Sequence, residues 1–400
     1  MLNIWSFYKQ SFGGLSRPVW MLSFVMLINR SGMMVIPFLT IYATQVLHFP
    51  VVQAGMLTGA FGLGSVCGSW LGGWFSDKVG TYKVMAFSLL TGGAGLVSLA
   101  LFKEFYSLLF AIFLVSTIAD MLRPAMFSSV AIYSKPVNRT RAISLLRMAI
   151  NLGISIGPAV GGFIAGTIGY TWLFIVDGIT CIIAGLVLLS FLDQKDRGDA
   201  IEKDQQTQPV SVYSDWVFIL FLLINLFNLT AFFQILSTVP LYFERVLGMT
   251  EIQIGLFFTL NGLIIFLFEM PIVYTMERRW KPVFWVITGA LMIGFGFYVL
   301  LIPAHWLILF LGFSLLIGFG EIFNFPFANS IALNRGEKGS MGQYMGLYTM
   351  MFSVSFILAP LFGTQILDRF GFDTLWLTIG SLNVLSVIGF FWIRSKIGEY

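Results

Sequence analysis

Residues 42–63 read YATQVLHFPVVQAGMLTGAFGL, and residues 242–263 read YFERVLGMTEIQIGLFFTLNGL. Tyr42, Val46, Leu47, Gln53, Gly55, Gly62 and Leu63 meet Tyr242, Val246, Leu247, Gln253, Gly255, Gly262 and Leu263. That is seven identities in twenty-two positions, where so biased a composition gives roughly two by chance. Further on the offset drifts to 202, and Pro158, Gly161 and Gly169 meet Pro360, Gly363 and Gly371. The two halves share an ancestor.

Composition says what each half is made of. Apolar residues are 58% of the chain and charged ones 10%, against roughly a quarter charged in a soluble domain. Apolar runs of about 20 residues, long enough to cross a hydrocarbon core about 30 Å thick, follow one another from end to end. Twelve spans are expected, at 18–46, 52–75, 83–102, 106–131, 142–167, 171–192, 216–243, 252–276, 282–302, 306–332, 341–367 and 373–393. The expected fold is an all-α membrane protein of twelve transmembrane helices in two six-helix bundles, residues 1–193 and 215–400. Between them a cytoplasmic linker at 194–214 carries DQKDRGDAIEKDQQTQP with Asp193 and lacks the apolar content needed to pack.

Of 23 Lys and Arg residues, seventeen fall on the side of the membrane that holds the N-terminus, and only Lys103, Arg245 and Arg369 on the other. Cytoplasmic loops retain positive charge, so both termini are expected in the cytoplasm. The net charge of +4 is then loop topology and gives no reason to expect nucleic acid as a partner. The segment before Val19 has no signal-peptide core and cleavage site. Cys67 and Cys181 lie in apolar runs and suggest neither a disulfide nor a metal. His48 and His305 sit at outer ends of spans, with no metal cluster or nucleophile–base pair to join. An enzyme is not expected. No glycine-rich phosphate loop ending in Lys-Ser or Lys-Thr occurs, so neither ATP nor another cofactor is expected.

Between spans two and three stands Gly73-Trp74-Phe75-Ser76-Asp77-Lys78-Val79-Gly80-Thr81-Tyr82-Lys83. This resembles the loop motif of the major facilitator superfamily, with the departure that Thr81 and Tyr82 stand where basic residues are common. The resemblance implies a gating set of Gly73, Asp77, Lys78, Gly80 and Lys83, with Arg139 and Arg141 as cationic partners of Asp77. Glu277-Arg278, 200 residues on, is the worn duplicate. Span five carries Gly153-Ile154-Ser155-Ile156-Gly157-Pro158-Ala159-Val160-Gly161-Gly162, which resembles the glycine–proline motif of the antiporter branches, although Ser144 replaces an upstream glycine. There Pro158 frees a carbonyl and allows a bend, while Gly157 and its neighbours present a flat surface to the other half.

The resemblance covers the whole chain and points to the twelve-span drug:proton antiporters. It implies a monomeric secondary transporter of a bacterial cytoplasmic membrane, working by alternating access with its site at the interface of the repeats. Proton-coupled export of drug-like or lipophilic small molecules is the expected function.

Ionisable residues within spans carry the coupling chemistry, because a charge in hydrocarbon costs at least about 3 kcal/mol unless paired or wet. Asp120 and Arg123 lie three apart, on one helix face, and can neutralise each other. Glu321 nearly duplicates Asp120, with Pro326 answering Pro124. Glu269 precedes Pro271, and Arg30 lies near the middle of span one. Desolvation and a nearby arginine act in opposite directions on such a carboxyl, so a conformational change can load and unload a proton. Glu321, Asp120 and Glu269 are the expected proton carriers, with Arg30 and Arg123 as charge partners. Arg147 is expected to snorkel to the cytoplasm, and Asp177, shallow in span six, to be structural.

In the resembled fold spans one, four, seven and ten line the cavity, with help from two, five, eight and eleven. That selects Asn29, Met33, Met34, Asn225, Asn228, Phe232, Phe233, Gln234, Asn261 and Asn324 as substrate-binding candidates. Methionine and aromatic side chains repack around varied apolar ligands. The polar set of Asn225, Asn228, Gln234 and Asn324 keeps open import of a sugar or peptide, and a lipid or glycolipid flippase is a third option.

Overall fold

The structure, a computed structural model, describes residues 4–194, 211–277, 279–337 and 340–397. Residues 195–210 of the expected linker, and Arg278 of the worn motif, lie outside the described residues. No strand occurs among the described residues. The helices are α1 (Ile4–Ser11), α2 (Arg17–Ser31), α3 (Val35–Ile41), α4 (Val51–Val79), α5 (Thr81–Leu99), α6 (Phe105–Asp120), α7 (Leu122–Tyr133), α8 (Arg139–Thr167), α9 (Thr171–Phe191), α10 (Trp216–Phe232), α11 (Thr238–Arg245), α12 (Glu251–Met276), α13 (Pro282–Val299), α14 (Trp306–Gly336) and α15 (Met341–Ile397). They group into two compact units. The C-terminal unit is Met1–Gly13, Ser211–Arg335 and Val354–Tyr400, and the N-terminal unit is Gly14–Val210 with Gly336–Ser353.

Eleven stretches are long and apolar enough to cross a membrane. The last, α15, has 57 residues; at about 1.5 Å per residue that is more than twice a hydrocarbon core of about 30 Å. Gly371, with φ 80° and ψ 178°, bends it. The eleventh and twelfth expected spans therefore run into each other through a single glycine, and the membrane-capable stretches among the described residues number twelve once α15 is divided there.

The duplicated stretch folds twice into the same local structure. Leu47 N–H reaches the Tyr42 carbonyl at 3.1 Å and Phe49 N–H that of Ala43 at 2.9 Å; in the second copy Leu247 reaches Tyr242 at 3.2 Å and Met249 reaches Phe243 at 2.9 Å. These wide turns end spans one and seven. The residue that follows takes a left-handed backbone in both copies, His48 at φ 57° and Gly248 at φ 64°. Gly169 at φ 104° and Gly371 at φ 80° are likewise left-handed at matching places, a conformation that glycine adopts without the Cβ penalty. A side chain is tolerated at His48 at the cost of strain.

Spans one, four and seven are broken, which the apolar runs did not reveal. Span one stops at Ser31 and restarts at Val35, span four changes at Met121, and span seven passes through a tight turn at Phe233–Leu236. Span ten, α14, is continuous through Pro326.

Packing is set by small residues, since lipid supplies no hydrophobic drive between helices. On α4 the glycines 64, 68 and 72 recur every four residues and so share one face. A Cβ at Gly72 would stand 2.5 Å from the Met121 carbonyl, and one at Gly68 would run into the Thr117 carbonyl. The backbones of α4 and α6 touch there. Gly59, by contrast, has open space around it. Gly68→Val should therefore destabilise the detergent-solubilised protein by about 1–3 kcal/mol, while Gly59→Val leaves its thermal unfolding midpoint within experimental scatter.

Candidate transport site

In the N-terminal unit the site is built around the break in span one. After Arg30 the chain makes a tight turn: Met33 N–H donates to the Arg30 carbonyl at 3.2 Å and Met34 N–H to the Gly32 carbonyl at 2.6 Å. The Met34 amide, shared with the Gly32 carbonyl, and the Val35 amide also reach the Asp177 carboxylate of α9, with Oδ2 at 3.3 and 3.4 Å. Asp177 is 6% exposed. Asn29 donates from Nδ2 to the Cys181 sulfur at 3.2 Å, and Arg30 from Nη1 to the Met33 sulfur at 3.3 Å. A side chain at position 32 would run into Thr180, so glycine is required where span one meets α9.

The glycine–proline motif of span five lies against this same break. A Cβ at Gly153 would stand 2.6 Å from Arg30 Cβ, one at Gly157 2.9 Å from the Met33 carbonyl, and one at Gly161 3.0 Å from Met34 Cβ. The expected flat surface for the other half is, in this structure, the bed of span one within its own half, and Pro158 sits in that helix. The motif's small residues are needed because a broken helix has to approach closely.

Span four supplies the next charges. Asp120 closes α6 and Arg123 lies in the first turn of α7, on either side of the break at Met121. The expected mutual neutralisation is not a direct ion pair: no contact within 4.0 Å joins Asp120 and Arg123. The break at Met121 falls between them, so the uninterrupted i, i+3 face that the expectation assumed is absent. Arg123 lies over the Phe352 ring at 5.4 Å and within electrostatic reach of Arg30, Asp120 and Tyr348.

The loop motif forms a backbone latch. Asp77, at the end of α4, accepts the Gly342 N–H at 2.7 Å and the Gln343 N–H at 2.9 Å. These are the first amides of α15, where unpaired donors and the helix dipole favour an anion. Above the latch, Ser69 and Gly73 take the backbone of Gly346: a Cβ there would lie 2.9 Å from the Ser69 carbonyl. Ser65 and Ser353 share a hydrogen bond of 2.8 Å. Arg139, 7% exposed, pairs with Glu337 at 2.5 Å, just before that helix. Arg141 is buried, Lys78 covers the Trp74 ring at 3.6 Å, Gly80 turns the chain at φ 91°, and Lys83 is exposed.

The C-terminal unit carries the remaining candidates. Asn228 donates to Asn324 Oδ1 at 3.2 Å, and Asn324 donates to the Val286 carbonyl at 2.9 Å. Asn225, fully buried, has neither side-chain polar atom hydrogen-bonded among the described residues. Gln234 is engaged at both ends, donating to the Ala359 carbonyl at 2.9 Å and accepting from Thr238 at 2.7 Å; it ties the turn in span seven to α15. Phe232 meets Phe325 edge-on at 4.8 Å, and Phe233 meets Phe356 at 5.9 Å. Asn261 Oδ1 faces Gly318 of α14. Glu269 is 0% and Glu321 5% exposed. At the start of α10, Asp215 caps Phe218 N–H at 3.1 Å and holds Arg335 of α14 in a two-pronged ion pair of 2.5 and 2.8 Å. Sequence reading missed that pair. Its only signal was an acid just before one apolar run and an arginine just after another.

The description "Major Facilitator Superfamily" belongs to the family model that matches residues 19–360. The chain belongs to that family: it is a multi-pass membrane transporter and not an enzyme. It is 23% identical over 414 residues to a Na(+), Li(+), K(+)/H(+) antiporter of Planococcus maritimus, covering 92% of this chain and 93% of the relative. It is 23% identical over 346 residues to Multidrug resistance protein 1 of Bacillus subtilis (strain 168), covering 84% and 87%. Among solved structures the human organic anion transporter MFSD10 superposes with a TM-score of 0.76 at 17% identity, over 94% of this chain and 99% of that one. At that identity the likeness concerns the fold.

Replacing the anion at the latch should loosen the start of α15. In Asp77→Asn the two amides lose a charge-assisted partner worth about 1–2 kcal/mol. Hydrogen exchange in the peptide that begins at Met341 should accelerate roughly tenfold, with exchange in α9 unchanged.

Proposed function

We propose that the protein is an alternating-access, proton-coupled exporter of drug-like or lipophilic small molecules. The observation that carries this reading is the placement of ionisable groups. Asp120, Glu269 and Glu321 are all at most 8% exposed within membrane spans, where an unpaired charge costs at least about 3 kcal/mol. Asp120, Arg123 and Arg30 stand at breaks in spans four and one. Buried ionisable groups suit a protein that moves protons, and broken helices suit one whose site changes shape.

Glu321 is the leading proton carrier, Asp120 and Glu269 the next, with Arg30 and Arg123 supplying the positive charge that favours proton release. Met33, Met34, Phe232 and Phe233 offer soft, repackable surface to an apolar ligand, while Asn29, Asn225, Asn228, Gln234, Asn261 and Asn324 supply polar contacts. The multidrug resistance relative supports a drug-like substrate. A monomer in a bacterial cytoplasmic membrane, with both termini in the cytoplasm, completes the proposal.

A second reading, exchange of a monovalent cation for a proton, is favoured by the Planococcus relative. Both readings keep the proton and differ in the cargo.

Reconstitution into vesicles with an imposed pH gradient and a panel of lipophilic compounds tests the proposal. Wild-type protein should move at least one compound against its concentration and dissipate the gradient in doing so. Glu321→Gln should abolish both by a factor of roughly ten or more, the usual scale for losing an essential proton carrier. Movement that ignores the gradient, or that Glu321→Gln leaves intact, contradicts proton coupling through Glu321. Gradient dissipation by sodium or potassium alone selects the cation reading.

A further inference from the structure

We propose that Asp177 is a proton-binding site of the N-terminal unit, set so that proton occupancy controls the broken turn of span one. The proposal rests on the proton-coupled reading above and adds to it a residue that reading does not use.

The carboxylate lies in α9 beside Gly32 and is 6% exposed. An ionised carboxylate offers about four acceptor positions, and here they are poorly met. The amides of Met34 and Val35 donate at 3.3 and 3.4 Å, beyond the ordinary range of about 2.7–3.2 Å. The Cys181 thiol stands 3.9 Å away. No cation lies within 4.0 Å among the described residues.

Arg30 is within electrostatic reach of Asp177. Its hydrogen bond goes instead to the Met33 sulfur at 3.3 Å, and its buried Nε has no partner among the described residues. A guanidinium and a carboxylate are thus held on the two sides of one helix break without joining.

The surroundings contain little else that titrates. On α5, which lies against Gly178 through Gly93 and Val97, nothing ionisable follows Lys83. The arginines of α8 lie in its first third, at 139, 141 and 147, and the part facing the break is Gly153 and Gly157. On the outer side Tyr42 packs on Phe174 and accepts from Lys103 at 3.1 Å. Asp177 therefore answers to Arg30, Cys181 and two backbone amides.

Each protonation state has a distinct effect on span one. Ionised, the carboxylate holds the first amides of the restarted helix by charge-assisted bonds. Protonated on Oδ1, it loses the charge, and Oδ2 keeps only the weaker hydrogen bonds that a neutral carbonyl accepts from the Met34 and Val35 amides. The hold of α9 on the restarted segment is then weakened. Its neighbours in the turn are the Met33 carbonyl on Gly157 and the Arg30 backbone on Gly153, so the weakening reaches Arg30 directly.

Infrared difference spectroscopy of the purified, full-length protein, taken from mildly acidic to mildly alkaline buffer, tests this without any substrate. The wild type should show a protonated-carboxyl band that Asp177→Asn lacks, that Asp177→Glu moves in frequency, and that Glu321→Gln leaves in place. Should Asp177→Asn fail to fold, the comparison with Asp177→Glu decides alone. A band identical in wild type and either variant, or no titrating band at all, overturns the proposal. So does a spectrum that responds to sodium at constant pH, which would make the site a metal-cation site. In vesicles, Asp177→Asn should lose the dependence of transport on the gradient. If wild-type transport ignores the gradient, the broader reading fails; if wild type responds and Asp177→Asn responds equally, only the Asp177 assignment fails.

Discussion

Helices in a bilayer can be held together only by close approach or by polar contacts, and α4 uses both on adjacent faces. One stripe, Gly64, Gly68 and Gly72, admits the backbone of α6 so closely that a methyl group would collide. The next, Ser65, Ser69 and Gly73, receives residues 342–353 of α15, and the Asp77 carboxylate closes its lower end on two amides. Two stripes of four-residue spacing, one position apart on the helix, thus serve two neighbours. The first contact is bare backbone on backbone. The second ends in a carboxylate on a helix terminus, an interaction of about 0.3–2 kcal/mol that can be made and broken.

The same economy governs the charged interior. Asp177, Arg30, Asp120 and Arg123 all stand where a helix is interrupted. An interruption frees amides and carbonyls that hydrocarbon cannot satisfy, and at the break in span one the Asp177 carboxylate accepts from two amides at distances that leave it incompletely solvated. Breaks and buried charges are for this reason found together, and span five is glycine-rich opposite the break because the turn needs room.

Much of this was legible in the sequence. The repeat at 200 residues led to two related halves, and the structure adds what the repeat did not state, matching local turns with left-handed residues at His48 and Gly248 and at Gly169 and Gly371. The length and apolarity of the runs gave the crossings, and the Gly73–Lys83 motif marked the latch. What stayed hidden depends on contacts between residues far apart in the chain. The arginine partners expected for Asp77 gave no hint of the Gly342 and Gln343 amides, since backbone donors leave no trace in residue type. The break at Gly32–Met34 lies in an apolar run and is contacted by Asp177, about 145 residues away. That distance is why Asp177 read as a peripheral structural acid.

Alternating access, as proposed, requires residues 342–353 of α15 to part from the second stripe of α4 in each cycle. The Ser65 and Ser353 hydroxyl oxygens lie 2.8 Å apart, within easy adjustment of the S–S length of about 2.0 Å. Ser65→Cys with Ser353→Cys, in a background of Cys67→Ala and Cys181→Ala, should cross-link on oxidation. Vesicle transport should then stop and return on reduction. Undiminished transport by fully cross-linked protein would contradict the account.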